Sequence, residues 1–272
     1  MTSASPTKPA TPEPFTRSAD LRCLPLRPRL PDGLDLEIVV PAYNEERRIR
    51  PTLLALGRQL RDMPIAAGLR VVDNGSCDRT AEIVDQAGDI GVPVAVSGCS
   101  RPGKGAAVAR GMVTSSARWV GFCDADLATD PGAIADAVRL LERGWQVVVG
   151  SRRCAQARVV ARQPLVRRLG SSAFHRVTRR YTGGISDTQC GFKFFDGLVA
   201  SVLFGGIELD GFAFDVEVLA RAHAMGLSMV ELPVEWRDQP GSTFAPVRDG
   251  VRVAGDLWRL RRISPAWTQV VA

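Results

Sequence analysis

Short apolar runs alternate with longer amphipathic stretches from Leu36 onward, and this alternation predicts the chain's elements. Residues 36–40 read as a strand stopped by Pro41. A helix follows over about 45–60, with Ile49, Leu53, Leu56 and Leu60 on one stripe. Further strands are predicted over 69–73, 92–96, 119–123 and 146–150, separated by helices over 78–87, 105–116 and 131–142. Five strands with intervening helices predict an α/β fold, a mainly parallel sheet with helices on both faces. The second half is less regular. Its pattern predicts a basic helix over 164–181, a strand over 191–195, a helix over 214–225, a strand over 228–234 and an amphipathic helix over 247–262.

Residues 1–31 stand apart, with Pro6, Pro9, Pro12, Pro14, Pro25, Pro28 and Pro31 and no apolar periodicity. They are expected to form a disordered tail ahead of one domain over 32–263, with a short tail over 264–272. No apolar segment of a signal peptide follows Met1. Charge-free stretches such as 90–100 reach 11 residues, against about 20 for a spanning helix.

Composition adds little until charge is mapped. The 272 residues are 45% hydrophobic and 24% charged, an ordinary soluble balance. The six cysteines, Cys23, Cys77, Cys99, Cys123, Cys154 and Cys190, form no CxxC pair and have no nearby histidine. Zinc spacing and a disulfide scaffold are therefore not indicated, and reduced thiols in the cytoplasm are expected. The net charge is +6 but unevenly placed: between Glu142 and Asp187 lie ten arginines and no acid, which leaves −4 for the rest of the chain. A block of one sign needs an anionic partner such as a phosphorylated substrate, a lipid headgroup or nucleic acid. Trp145, Phe174 and Tyr181 are its interleaved aromatics, too few for base stacking, so nucleic acid is not expected. In the last predicted helix Val247, Val251, Ala254 and Trp258 share a stripe flanked by arginines. That pattern fits an interfacial helix or one packed on the domain.

Ligands of parallel sheets bind beyond the carboxyl ends of the strands, where this chain's polar motifs fall. Asp124-Ala125-Asp126 closes the fourth strand. Residues i and i+2 of a strand point to one side, so both carboxylates can face one volume. Hard oxygen donors suit Mg2+ or Mn2+; the competing reading is a polar turn in which Asp126 or Thr129 caps the next helix. Asp73 could accept from a base or ribose, Gly75 permits a tight turn, and Ser76 can cap a helix. Arg152, after four apolar residues, is placed to meet phosphate. Arg101-Pro102-Gly103-Lys104-Gly105 lacks the spacing of a P-loop or a dinucleotide fingerprint. It either brings backbone N–H groups and Lys104 to an anion or only makes a turn. His175 and His223, the two histidines, lie in helical patterns and read as surface or core residues.

The order and wording of these motifs resemble the family 2 inverting glycosyltransferases of the GT-A fold: Pro41-Ala42-Tyr43-Asn44-Glu45, Asp73-Asn74-Gly75-Ser76-Cys77-Asp78, the Gly-Lys-Gly loop and Asp124-Ala125-Asp126. Asp187-Thr188-Gln189-Cys190-Gly191-Phe192-Lys193 and Ala213-Phe214-Asp215-Val216-Glu217 further resemble the dolichyl- or polyprenyl-phosphate β-glucosyltransferases and the related mannosyltransferases, the glucosyl branch more closely. The resemblance covers about residues 36–262. It implies that Pro41, Tyr43, Glu45, Asp73 and Lys104 line the nucleotide pocket and that Asp124 and Asp126 meet the metal and diphosphate. It implies donor or acceptor phosphates at Arg152, Arg168 and Lys193, and a sugar-side pocket at Asp187 and Gln189. Asp126, Arg152 and Asp187 are the implied catalytic set. Asp215 and Glu217 also fit a plain charge pair at a helix N-terminus.

Three positions differ from such relatives: Ala128 where some mannosyl members have Gln, Gly241-Ser242-Thr243 where glucosyl members have Gly-Ser-Lys, and a Pro-rich tail where many eukaryotic members have a membrane anchor. The implied reaction moves a sugar, glucose first and mannose as the alternative, from UDP-glucose or GDP-mannose to polyprenyl phosphate with Mg2+ or Mn2+ present. A lipid phosphate is mostly dianionic near neutral pH and needs no general base, whereas a hydroxyl acceptor, the competing case, needs one such as Asp187. The expected location is peripheral, on an anionic membrane surface at the cytoplasmic face. A non-catalytic lipid-binding scaffold is the remaining alternative.

Overall fold

The computed structural model describes residues 33–88, 90–160, 178–211 and 213–238, together with 255, 256 and 259. The predicted N-terminal tail, most of the basic helix (including Arg168 and His175), most of the last helix and the C-terminal tail lie outside the described residues.

β1 (Leu36–Ala42), β2 (Ala67–Asp73), β3 (Val94–Gly98), β4 (Trp119–Cys123) and β5 (Val147–Ser151) alternate with α1 (Ile49–Arg61), α2 (Thr80–Asp85), α3 (Lys104–Thr114) and α4 (Ala133–Glu142), as the apolar pattern predicts. β6 (Arg158–Val159) follows, then β7 (Phe192–Asp196), α5 (Gly197–Gly205), α6 (Phe214–Ala224), β8 (Met229–Pro233) and β9 (Glu235–Trp236). The main sheet has seven strands in the order β3-β2-β1-β4-β7-β5-β8, and β6 pairs with β9 in a separate two-stranded sheet. β1, β2, β3 and β4 pair in parallel, as do β5 and β8, while β7 lies antiparallel between β4 and β5. The carboxyl ends of β1, β2, β4 and β5 thus share one edge.

Alternation along the strands divides the core. Ile38 and Val40 of β1 pack with Leu53, Leu56, Trp119, Leu141 and Phe194, whereas Val39 packs with Val72, Phe122, Phe195, Phe204 and Phe214 on the other face. Each such side chain, fully buried, contributes about 1.5–3 kcal/mol. The predicted stripe of α1 is observed, with Ile49, Leu53, Leu56 and Leu60 buried.

Two features go beyond the sequence pattern, which predicts a mainly parallel sheet without marking the direction of any one strand. β7 is a central strand with all five residues buried, yet it runs antiparallel, so the sheet is parallel only in the main. α5 was not predicted, because Gly-Leu-Val-Ala-Ser-Val-Leu-Phe-Gly is apolar nearly all round and shows no helical stripe. Its sequence signal is Asp196, whose side chain accepts from Leu198 N and Val199 N as an N-cap. Among the described residues, no helix is long and apolar enough to cross a membrane.

Candidate active site

Three loops at the carboxyl edge of the sheet are stitched together by side chains of the first two. Asn44 N donates to Ser76 Oγ at 2.9 Å, and Asn44 Oδ1 accepts from Cys77 N at 2.9 Å. Asn74 Oδ1 accepts from Gly103 N at 2.7 Å, while Asn74 Nδ2 donates to Arg101 O at 2.7 Å. Asp78 accepts from Thr80 N, Thr80 Oγ1 and Glu46 N, and Glu45 N donates to Thr80 Oγ1 at 2.7 Å. Ser76 therefore ties two loops together instead of capping α2. Asp73 is half-buried: its Oδ2 accepts from Ser76 N at 3.2 Å, and its Oδ1 is shielded from solvent with no hydrogen-bond donor. An acceptor left in this way at a crevice is suited to an incoming N–H or hydroxyl. Beside it Pro41 is half-buried and Tyr43 is 54% exposed.

The β4 end forms the floor. Asp124 N donates to Gly191 O at 3.0 Å, and the chain turns back with Leu127 at φ 51°. Asp126 Oδ1 accepts from Ala128 N at 3.0 Å. At the start of α4 it is Asp130 that accepts, from Gly132 N; neither Asp126 nor Thr129 caps that helix. Gly191 faces the Asp124 carboxylate so closely that a Cβ there would lie 1.9 Å from Oδ2. Burial and the neighbouring Asp124 charge push the Asp126 carboxyl up from the usual range. Lys104 Nζ lies 2.5 Å from Asp124 Oδ1. The ammonium is disfavoured by burial, but Asp124, Asp215 and Asp126 together hold its pKa above the ordinary lysine value. Glu45, pushed up by burial, is gripped by Arg48, whose Nε and Nη2 donate at 2.6 and 2.8 Å. Arg48 also acts on Asp126 electrostatically; sequence reading missed it, although Glu45 and Arg48 stand at a helical i, i+3 spacing.

The glycine loop resolves in favour of close packing. Gly103 sits at φ 120°, and a Cβ there would lie 2.3 Å from Asp210 O. Gly103 N is taken by Asn74 and Gly105 N by Asp210 O at 2.7 Å. These two N–H groups are thus spent within the protein; of the loop's two cations, Arg101 pairs with Asp210 and Lys104 with Asp124.

Arg152, at the β5 end, meets Asp187. Nε donates to Oδ2 at 2.7 Å, Nη2 to Oδ1 at 2.8 Å, and Arg152 N to Oδ2 at 2.9 Å. The guanidinium also lies 5.3 Å from the centroid of the Trp236 ring. Asp187 is completely buried, and its backbone N donates to Glu231 Oε1, which also receives Ser186 Oγ at 2.6 Å. Both Asp187 oxygens are therefore engaged by an arginine, so Asp187 orients Arg152 and is not placed as a free base. Trp236 and Glu231 had no motif around them to mark them. Gln189 is half-buried on the same turn.

Lys193 departs from its implied place at a phosphate. It is fully buried on β7, donating from Nζ to Asp215 Oδ1 at 2.5 Å and to Cys190 O at 2.7 Å, 5.3 Å from the Phe122 ring centroid. A lysine on a five-residue strand has its face set by register, and here register turns it inward. Asp215 is its partner. Glu217 accepts from Glu208 N and Leu209 N and pairs with Arg221 at 2.9 Å. Both acids lie in the first turn of α6, as the charge-pair reading has it, but each is buried and works inside the fold.

The Asp124/Asp126 pair fits a divalent cation. Asp124 Oδ1 is shielded from solvent and has the Lys104 ammonium, 2.5 Å away, as its cationic partner, so the site already draws positive charge to this carboxylate. The two acids raise one another's need for positive charge. Among the described residues no cluster of three or more His, Cys, Asp or Glu is arranged as a metal cage. The protein would thus supply the carboxylate pair and leave the other positions to phosphate or water.

The sequence profile of Glycosyl transferase family 2 matches residues 37–196, which is the stretch from β1 through β7. The chain belongs to that family. It is a glycosyltransferase. As a family 2 member it is 33% identical over 255 residues to the dolichyl-phosphate beta-glucosyltransferase of Homo sapiens, covering 85% of this chain and 77% of that protein. It is 30% identical over 246 residues to the enzyme of the same name from Dictyostelium discoideum, covering 85% and 75%. Among solved structures, glucosyl-3-phosphoglycerate synthase from Mycobacterium tuberculosis with Mn2+ and uridine-diphosphate-glucose superposes with a TM-score of 0.64. The identity is 20%, covering 85% of this chain and 79% of that one. The same enzyme with Mg2+ and uridine diphosphate gives 0.62 at 21% identity, covering 84% and 78%. At such identities these likenesses establish the GT-A-like fold of the family 2 transferase.

Proposed function

We propose that this glycosyltransferase moves glucose with inversion from UDP-glucose to a polyprenyl phosphate, with Mg2+ or Mn2+ held at Asp124 and Asp126. The observation that carries the acceptor class is the commitment of the acids around the site. Asp187 is held by Arg152 and Glu45 by Arg48 at the site, while Asp215 and Glu217 are paired with Lys193 and Arg221 inside the fold. A hydroxyl acceptor would need a carboxylate free to take its proton. A phosphate monoester, with a second pKa near 6, arrives mostly ionised and attacks without one.

In this reading Asp73 and Tyr43 receive the base and ribose, and Pro41 and Glu45 shape that side of the pocket. A divalent ion at Asp124 and Asp126 would stabilise charge on the departing diphosphate. Lys104 and Arg152 add positive charge at the same end of the sheet. Arg152 is presented rigidly because Asp187 and Trp236 hold it on two sides. The phosphate oxygen of the acceptor forms the new bond to the sugar's anomeric carbon as the bond to UDP breaks, and no proton needs to be moved. Glucose as the sugar, and polyprenyl phosphate as the acceptor, are supported by the dolichyl-phosphate beta-glucosyltransferase relatives. Arg168 and the other arginines of residues 143–180 would favour an anionic membrane surface, and Gln189 the sugar-side pocket.

The test is a radiolabelled transfer assay with purified protein, run with UDP-glucose or GDP-mannose, with and without polyprenyl phosphate, in Mn2+ or in chelator. Metal-dependent label from UDP-glucose in the lipid fraction, lost in Asp126→Ala, is the expected result. Consumption of donor with no labelled lipid would overturn the acceptor, and label from GDP-mannose alone would overturn the sugar.

A further inference from the structure

Lys104 stands where a cation is least favoured by its own helix. It is the first residue of α3, at the positive end of the helix dipole. The carboxylate of Asp124 holds it there, with Nζ 2.5 Å from Oδ1. This contact closes a ladder of alternating charges through the fold. Lys193, fully buried on β7, is fixed to Asp215 at 2.5 Å, and Asp215 acts in turn on Lys104. The inner rung cannot leave, because Lys193 and Asp215 are both buried. The outer rung can. The side chains of Lys104 and Asp124 are 22% and 31% exposed, and Lys104 has a four-carbon stem.

That outer rung occupies the carboxylate pair where the divalent ion would bind. Oδ1 of Asp124 is already shielded, so the side chain's exposure belongs to the rest of the carboxylate. A divalent ion approaching it would share one carboxylate with an ammonium, and two cations a few ångströms apart repel. A nucleoside diphosphate offers the lysine an anion at the moment the ion takes the aspartate. The Gly103 and Gly105 N–H groups are already engaged by Asn74 and Asp210, so the ammonium is the group of this loop able to make that move.

We propose that Lys104 is the resident counter-cation of Asp124 in the donor-free enzyme, and that it passes to the donor's diphosphate when the divalent ion binds. This rests on the metal and nucleotide-diphosphate reading above. The lysine thereby couples the two ligands: it opposes the ion alone and favours the ion together with the nucleotide.

The experiment is a titration of Mn2+ into the purified full-length protein, followed by electron paramagnetic resonance of free Mn2+, with and without saturating UDP. Wild type should bind Mn2+ weakly alone and more tightly with UDP. Lys104→Gln should bind Mn2+ alone about 5-fold more tightly or better, and should lose most of the enhancement by UDP. Lys104→Met should behave as Lys104→Gln, and Lys104→Arg should stay close to wild type; melting curves verify that each variant is folded. Unchanged or weaker binding of Mn2+ alone in Lys104→Gln and Lys104→Met, with wild type still binding Mn2+ and UDP together, overturns the lysine's role and leaves the metal reading standing. Failure of wild type to bind Mn2+ even with UDP overturns both.

Discussion

Arg152 donates two parallel hydrogen bonds to Asp187, Nε to Oδ2 at 2.7 Å and Nη2 to Oδ1 at 2.8 Å, across 35 residues of sequence. Asp187 is completely buried, so the pair fixes the arginine rather than the reverse. Asp187→Asn is expected to lower kcat by about 10- to 100-fold through a displaced Arg152. The shape of the pH–rate profile should stay the same. Loss of the acidic limb of that profile would instead identify Asp187 as a base and revive a hydroxyl acceptor.

Lys193 and Asp215 make a second test of role. Lys193→Met leaves a buried carboxylate without its partner and should cost about 3–5 kcal/mol in urea unfolding. Lys193→Met combined with Asp215→Leu removes both charges and should regain most of that loss. A stable single variant defective only in phosphate binding would contradict the buried, structural assignment.

Gly191 lies against the carboxylate of Asp124. Gly191→Ala would place a Cβ 1.9 Å from Oδ2, so the flexible carboxylate must move. Transfer activity should fall by about 100-fold with the melting temperature nearly unchanged. Near-normal activity would mean that the position of Asp124 is not critical.

Asp126 carries the cost of its site. Burial and the charge of Asp124 push its carboxyl up, so the metal-free protein is destabilised by holding it ionised. Asp126→Asn is expected to raise the melting temperature of the metal-free protein by about 2–4 °C, as roughly 1 kcal/mol does for a domain of this size, and to abolish metal-dependent transfer. A lower melting temperature would show that the ionised carboxylate is stabilised by neighbours in the free enzyme.

Cys190 makes the chemistry of the interior visible. Burial, with a smaller push from Asp187, raises its thiol to about 11, and Cys123 is likewise pushed up by burial. Iodoacetamide at pH 8 should label exposed Cys77 and spare Cys123 and Cys190 until the protein is denatured, as read by peptide mass spectrometry. The unfolded thiol ionises near about 8.5, below the folded one. Stability from Cys190 is thus present below about pH 8.5 and is lost as pH rises toward 11. Cys190→Ala should flatten that alkaline decline.

Much of the architecture was legible because strand and helix periods differ. The stripe of Ile49, Leu53, Leu56 and Leu60 and the run of residues 119–123 mark their elements from local pattern alone. α5 escaped because its residues are buried nearly all round, so no polar face sets a period; the capping Asp196 was its one local sign. The antiparallel direction of β7 was not legible at all, since Phe192 to Asp196 carries no record of which way its neighbours run. At the site, Asp124 and Asp126 were legible as a pair through their i, i+2 spacing on a strand. Arg48, Trp236 and Glu231 were not, because their roles arise from contacts that no motif marks.

The sequence by itself determined which residues can form helices and strands, where the chain turns, and which family's motifs it carries. These depend on side-chain chemistry and spacing within a few residues. Tertiary structure alone decided the pairing of charges. It turned Lys193 inward to Asp215, placed Asp187 under Arg152, and set Lys104 on Asp124. An ion pair forms according to distance and burial, and both come from packing segments far apart in the chain. The same charged residue is a ligand at the open edge of the sheet and a structural rung one layer further in.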